Sequence, residues 1–320
     1  MTFKETLDII GTEIFPESAI IRLSEKFEIA KFKTSKEIVK RSSTHIWVDL
    51  SIIVDSELLE KYPYLTHIIC RATSTTNMSA VNLGTMGIQV LSLKGHTAFL
   101  KKIPSTAELA WFLLQTSNVP IFEIQDQITS GSWDRSSLLR NQLFGKRIGI
   151  IGLGRLGKIV AKYAETFGMA VGYAELESYV NQLPYECFSI FDLCRDSDFI
   201  VITASVGELL DPILNSDTLE GCNPNLRIIN VSRGRLVDES CLIQLLTEDK
   251  IAFYAADTCR FEEQGATSED WENYRKLSSL KNVFLTPHIG GYSREAIYDT
   301  TNHLIDYLNE RICECMVPLK

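Results

Sequence analysis

Residues 148–157 read IGIIGLGRLG, a short apolar run followed by Gly152, Gly154 and Gly157 at the spacing of a dinucleotide-binding loop. The apolar density of Ile148, Ile150 and Ile151 predicts a strand buried on both faces. Behind the glycines, KIVAKYAETF places Ile159, Val160, Tyr163, Ala164 and Phe167 on one helical face. Each glycine then has a physical purpose. Gly152 allows the tight turn, Gly154 lets backbone approach a pyrophosphate, and Gly157 lets the helix pack on the strand, with Arg155 and Leu156 completing the loop at the helix amino terminus. The loop lies near the middle of the chain, whereas such a loop usually opens its domain. The first hundred residues are therefore expected to form a different unit, one that meets the substrate.

Three glycines alone are a weak signal, and the following strand strengthens it. MAVGY is strand-like and leads to Glu175, eighteen residues past Gly157, close to the spacing of an acid that accepts hydrogen bonds from a ribose diol. A carboxylate there repels a 2′-phosphate, and Leu176, Glu177 and Ser178 add no basic residue, so NAD is expected rather than NADP. The alternative reading of Glu175 is a solvated loop acid.

Composition sets looser bounds. The chain's 320 residues suffice for two domains, and a net charge of −9 without a basic stripe argues against nucleic-acid or membrane-surface binding. No apolar run approaches a membrane span, and MTFKETLD lacks the pattern of a secretion signal, so a cytoplasmic protein is expected. The eight cysteines are scattered, and Cys313 and Cys315, the closest pair, have no histidine neighbours. They are read as free thiols, and no metal site is expected.

Along the first hundred residues, strand-like EIAKF, HIWVDL, HIICRA and IQVLSL alternate with helical ESAIIRLSEKF, SKEIVKR and DSELLEKY, as in a parallel sheet with helices on its faces. At Pro104 the pattern changes, and Ser105 with Glu108 is expected to form a capping box opening an apolar helix through Leu114. Beyond the glycine loop, DFIVITA, LRIINVS, IAFYAAD and NVFLTP continue a six-stranded succession. The closing SREAIYDTTNHLIDYLNE puts Ile297, Leu304, Ile305 and Leu308 on one helical face.

The ends of the later strands carry the chemistry. NVSRGRLVD sets Ser232, Arg233 and Gly234 just past a buried strand, where open α/β sheets bind ligands and where a guanidinium can hold a carboxylate through two parallel hydrogen bonds. Asp257 ends IAFYAAD, with Glu262 and Glu263 in the polar loop behind it. LTPHIGG places His288 past a strand, with Gly290 in the turn behind it. Of the five histidines, His45, His67, His96 and His303 are read as structural or surface groups.

These features resemble the D-isomer-specific 2-hydroxyacid dehydrogenases, including the phosphoglycerate dehydrogenase branch. The likeness runs from about HIICRATSTTN through the closing helix and is most specific in GKRIGIIGLGRLG, INVSRGRLVD and LTPHIGG. It implies two doubly wound parallel-sheet α/β domains: a Rossmann cofactor domain, 105–296, inserted into a flavodoxin-like substrate domain, 1–104 plus 297–320. By motif, Arg233 resembles the substrate-binding arginine, His288 the proton donor and acceptor, and Glu262 the acid paired to it. Asp257 resembles the residue that orients the nicotinamide amide, and Thr106 looks like a cofactor-side contact or, equally, part of a helix start. The resemblance also implies a homodimer through an apolar face of the helix after Pro104.

The chain departs from that family at several points. Glu262 is followed by Glu263 and Gln264 where a proline is usual, so either glutamate is a candidate partner of His288, with spacing from Asp257 favouring Glu262. Thr203, Ala204 and Ser205 replace a histidine and proline after DFIV, with Thr203 the candidate cofactor contact there. ATSTTN replaces a glycine-rich turn, which alters the expected substrate wall at Ala72 and Thr73. Arg71 and Lys94, with Lys101 and Lys102, suggest a cationic mouth for a phosphorylated or dicarboxylic acid, the plain alternative being solvated loop lysines. Two other functional readings stay open: an NAD(H)-sensing corepressor-like module of the carboxy-terminal-binding-protein type, with little turnover, and a formate or phosphonate oxidoreductase.

Overall fold

The structure, a computed structural model, describes residues 4–78, 81–175, 184–205, 212–263 and 265–315, apart from the side chains of Thr76 and residues 312–315. Leu176, Glu177, Ser178 and Gln264, and the thiols of Cys313 and Cys315, lie outside that description. Two compact units are formed, residues 1–103 with 292–320 and residues 104–291. The chain re-enters the first unit at Tyr292.

In the first unit, β1 (Glu5–Ile10), α1 (Glu17–Lys26), β2 (Phe27–Phe32), β3 (His45–Val48), α2 (Ser56–Glu60), β4 (His67–Cys70), β5 (Gln89–Ser92) and α3 (Thr97–Leu100) follow one another. The strands make a parallel sheet in the order β2-β1-β3-β4-β5, the flavodoxin-like arrangement. Successive strand residues point to opposite faces, so Ile46, Val48, Ile68 and Cys70 join Leu58, Leu59 and Tyr62 in one core while Trp47 and Ile69 join Leu23 in the other.

The second unit runs through α4 (Ser105–Asn118), α5 (Ile121–Thr129), β6 (Arg147–Ile151), α6 (Arg155–Thr166), β7 (Ala170–Ala174), β8 (Glu186–Cys187), α7 (Ile190–Asp196), β9 (Phe199–Ile202), β10 (Arg227–Asn230), α8 (Glu239–Thr247), β11 (Phe253–Ala256), α9 (Ser268–Ser279) and β12 (Val283–Leu285). Its parallel sheet has the order β12-β11-β10-β9-β6-β7-β8. Among the described residues this is a Rossmann succession with seven strands where six were expected, the addition being the two-residue edge strand β8. The strand order reverses between β6 and β9, the switch point at which such sheets bind ligands. The chain then returns to the first unit as α10 (Arg294–Cys315), whose Leu304, Ile305 and Leu308 join the core beside Leu23.

Three local expectations are corrected. SKEIVKR is not a helix but a single 3₁₀ turn, Ser35–Glu37, because Ile38 is its one buried anchor and Val39 is 84% exposed. Glu5–Ile10, which is absent from the strand-like runs expected in the first hundred residues, is an interior strand of its sheet. Its Asp8 is fully buried, but Arg41, Ser43 and Tyr62 all donate hydrogen bonds to it. No capping box opens α4: Pro104 occupies the cap position, and the Ser105 hydroxyl donates to the Gly290 carbonyl at 2.7 Å. Among the described residues Cys70, Cys187, Cys194, Cys222, Cys241 and Cys259 are free thiols, and no helix is long and apolar enough to cross a membrane.

Candidate functional site

The glycine loop is built by contacts that side chains would block. Gly152 has φ +90°, and a Cβ there would lie 2.4 Å from Ala204 Cα, so the turns after β6 and β9 touch backbone to backbone. A Cβ on Gly157 would lie 2.4 Å from the Gly152 carbonyl oxygen, which fixes how closely α6 meets its strand. Gly154 differs: it caps α6, and a Cβ there would meet nothing within 4 Å among the described residues. The amino terminus of α6 thus faces a cradle kept open on protein atoms, with the geometry for a pyrophosphate. Arg155 and Leu156 form its first turn, and burial lowers the pKa of Arg155.

Glu175, just past β7, accepts a hydrogen bond from the Leu153 amide at 2.9 Å, so its carboxylate is drawn against the loop. Thr203 donates its hydroxyl to the Gly152 carbonyl at 2.7 Å, and Ser232 donates to the Ala204 carbonyl. Both hydroxyls therefore shape the rim of the cradle. The opening at Gly154, the α6 amino terminus and the Glu175 carboxylate together fit a nicotinamide dinucleotide.

Arg233, Asp257 and His288 follow β10, β11 and β12 at the same end of the sheet. The Asn230 side chain, fully buried at the end of β10, shapes the arginine turn by donating to the Arg233 carbonyl at 2.9 Å and accepting from the Ser232 amide at 3.0 Å. Burial lowers the Arg233 pKa, while the charges of Glu263 and Glu262 counter that effect.

Asp257 is 1% exposed, and its carboxylate accepts from Thr286 Oγ1 at 2.6 Å, the Ile289 amide at 2.8 Å and the Gly290 amide at 2.7 Å. It thereby ties down the turn carrying His288, whose φ of +54° is left-handed and rare for a side-chain-bearing residue. Thr106 packs against Gly290, where an added Cβ would lie 2.9 Å from Thr106 Cγ2 and from Asp257 Oδ2. Thr106, Asp257, His288 and Gly290 are thus one packed cluster.

His288 Nδ1 lies 3.2 Å from Glu262 Oε2, while the neighbouring Glu263 bonds to Arg235 instead. Burial and the charge of Arg233 lower the His288 pKa, but the hydrogen bond and charge of Glu262, with the charge of Asp257, outweigh them and the net shift is upward. With Nδ1 facing a carboxylate, Nε2 is the nitrogen left to pass a proton. A half-buried guanidinium beside a histidine–glutamate pair is equipped to bind a carboxylate and to protonate an adjacent oxygen.

Of the other candidate residues, Arg71 lies in the first unit with its guanidinium engaged by Glu13 Oε2 at 2.7 Å and Thr301 Oγ1 at 3.0 Å. Its charge is therefore already countered within that unit. Ala72 is buried and Thr73 and Lys94 are exposed in the turns after β4 and β5. The roles of Asn230, Thr286 and Arg235 escaped sequence reading, although Asn230 and Arg235 both lie inside the motif that carries Arg233.

Comparison with known proteins gives concordant matches. Residues 112–290 match the model of the D-isomer specific 2-hydroxyacid dehydrogenase NAD binding domain. A glyoxylate reductase of Thermococcus kodakarensis is 30% identical over 296 residues, covering 87% of this chain and 85% of that protein. Among solved structures, the D-lactate dehydrogenase of Aquifex aeolicus, complexed with NAD and lactic acid, has a TM-score of 0.79 at 19% identity, covering 97% of this chain and 96% of that one. The NADPH-dependent glyoxylate/hydroxypyruvate reductase of Sinorhizobium meliloti, complexed with NADP and malonate, has a TM-score of 0.78 at 21% identity, covering 97% and 94%.

Proposed function

The chain belongs to the D-isomer specific 2-hydroxyacid dehydrogenase family, and from that premise we propose that it reduces a small 2-oxo acid with NADH, using Arg233, Glu262 and His288. Hydride transfer between a 2-hydroxy acid and its 2-oxo acid with a nicotinamide dinucleotide is the chemistry of the family. The observation that carries the residue assignment is the 3.2 Å contact between His288 Nδ1 and Glu262 near the half-buried Arg233. Residues 104–291 are the cofactor domain and residues 1–103 with 292–320 the substrate domain in this reading.

Arg233 binds the carboxylate of the acid through its planar fork and polarises the neighbouring carbonyl. His288 gives the proton at Nε2 to the carbonyl oxygen as charge builds there, and Glu262 stabilises the imidazolium before transfer. Asp257 keeps His288 in place through the Ile289 and Gly290 amides. Gly152, Gly154 and Gly157 would hold the pyrophosphate of a nicotinamide dinucleotide and Glu175 its ribose diol, and the cofactor would supply the hydride. That carboxylate favours NADH over NADPH, since a 2′-phosphate would meet like charge. The neutralisation of Arg71 by Glu13 supports a small monocarboxylic acid such as glyoxylate or hydroxypyruvate, the substrates named for the relatives, over a doubly charged one. The enzyme names of those relatives favour turnover over a sensing role.

NADH oxidation across a panel of 2-oxo acids tests the reading. Turnover with glyoxylate or hydroxypyruvate is expected, as is a loss of roughly 100-fold or more for His288→Ala with NADH still bound, by the usual size of general acid catalysis. Arg233→Lys should weaken substrate use, because an ammonium cannot reproduce the planar fork. Absence of turnover across the panel, or near-normal rates for His288→Ala, would overturn the assignment.

A further inference from the structure

Glu263 stands directly after the histidine's partner, at the position where the family usually has proline, and it is bonded to the turn that carries Arg233. Its Oε1 accepts from the Arg235 backbone amide at 2.9 Å, its Oε2 takes Arg235 Nε, and Arg260 Nη1 lies 4.0 Å from Oε2. The carboxylate is 7% exposed. The two turns it joins are already in backbone contact: a Cβ on Gly234 would lie 2.1 Å from the Cys259 carbonyl carbon and 2.2 Å from the Arg260 amide nitrogen. A buried carboxylate with a charged partner and a backbone donor, bridging two abutting turns, is a tether rather than a surface ion pair.

We propose that Glu263 is a positioning residue that, through Arg235, holds Arg233 and Glu262 at a fixed separation. The inference rests on the role proposed above for those two residues and adds the device that sets their geometry. Two properties of the site follow. The tether spans from two residues past Arg233 to one residue past Glu262, so slack in it moves the carboxylate-binding group and the histidine's partner relative to each other. The same carboxylate also counters two guanidiniums. Arg233 feels Glu263 as its foremost compensating charge and Arg235 as an opposing one, so Glu263 lets a second arginine sit beside Arg233 without driving it aside. A proline at 263 stiffens the backbone but supplies neither the bridge nor the charge.

The test uses Glu263→Ala, Arg235→Ala and the double variant of the full-length protein, with Arg235→Lys as the conservative control. Each single alanine variant is expected to raise KM for the 2-oxo acid roughly tenfold and to move the alkaline limb of the kcat profile to lower pH, while NADH affinity stays within about twofold. The double variant should be no worse than either single one, the signature of one shared interaction, and Arg235→Lys should recover part of the loss. Unchanged KM and pH limb in folded variants would overturn the proposal. So would a parallel fall in substrate use, NADH affinity and melting temperature, which marks a merely structural role. Hydrogen exchange separates this outcome from a failure of the functional reading. Even if the wild type turns over no 2-oxo acid, Glu263→Ala should speed exchange at the amides of 233–237 and leave 148–175 unaltered. Unaltered exchange at 233–237 sinks the tether by itself.

Discussion

His288 feels two opposing influences, and their balance fixes a pH dependence. Burial and the charge of Arg233 disfavour its imidazolium, whereas the hydrogen bond and charge of Glu262, with the charge of Asp257, favour it and prevail, so the acid form persists above the ordinary 6.5. Reduction needs that acid form, and its rate should fall as pH rises through the raised pKa. Glu262→Gln removes the charge and leaves burial less opposed, so the alkaline limb should move down by about one unit or more, with activity better retained at pH 6 than at pH 8. A limb that stays in place would exclude Glu262 as the controlling group. The raised pKa also stabilises the fold below about pH 6.5, and that contribution fades as pH rises through the folded-state value. Glu239, the first residue of α8, shows the same sign over a lower pH range, with burial as the cause. It is 4% exposed, its Oε1 accepts from the Arg260 amide at 2.8 Å, and burial pushes its pKa up to about 7. An acid raised in this way costs stability as pH climbs from about 4.5 to 7. Glu239→Gln keeps an acceptor for Arg260, so it should be nearly neutral at pH 5 and stabilise by on the order of 1–3 kcal/mol at pH 8. A gain equal at both pH values would refute the assignment.

At the scale of elements, the glycine loop separates packing from ligand space. Gly152→Ala forces a left-handed φ on a side chain and drives its Cβ into the Ala204 backbone, so a loss of about 1–3 kcal/mol is expected together with weaker NADH binding. Among the described residues Gly154→Ala meets no atom within 4 Å, so the melting temperature should hold while NADH affinity falls tenfold or more, the added methyl entering the space a pyrophosphate would take. Equal effects of the two substitutions on stability would contradict the geometry. The same distinction explains what was legible in advance. Strand exits after β10, β11 and β12 located Arg233, Asp257 and His288, because apolar runs and the residues ending them are local properties. β1 was missed because the partners that make its buried Asp8 tolerable, Arg41, Ser43 and Tyr62, lie more than thirty residues away. Ser105 likewise looked like a helix cap, yet its hydroxyl is claimed by Gly290, 185 residues on. The choice between Glu262 and Glu263 also depended on distant partners, His288 for one and Arg235 for the other.

For the whole molecule, the distribution of exposed apolar side chains bears on assembly. Phe112, Ile121, Phe122, Ile128, Trp133 and Leu139 are exposed within the cofactor unit, on α4, α5 and the segment after them, with Trp133 91% and Leu139 87% accessible. Phe112 and Phe122 share a ring partner in Phe284, with centroids 6.1 and 5.6 Å away, so these helices converge on one apolar locus. Single exposed apolar residues are ordinary, but this many within some thirty residues of a chain with a net charge of −9 lead us to predict that a partner covers the apolar locus of Phe112 and Phe122. A second copy is the natural cover, since a two-fold axis lets one such face meet itself, and a stable pair needs roughly 1,200–2,000 Å² of buried surface, a size within reach of helices with an extended segment. Light scattering should therefore return twice the 36.1 kDa of one chain, and Trp133→Ser combined with Leu139→Ser should shift the mass toward one chain without abolishing NADH binding. A wild-type mass of one chain at micromolar concentration would leave the apolar face to some other partner. NADH binding lost along with the dimer would instead show that the cofactor unit needs its second copy to fold.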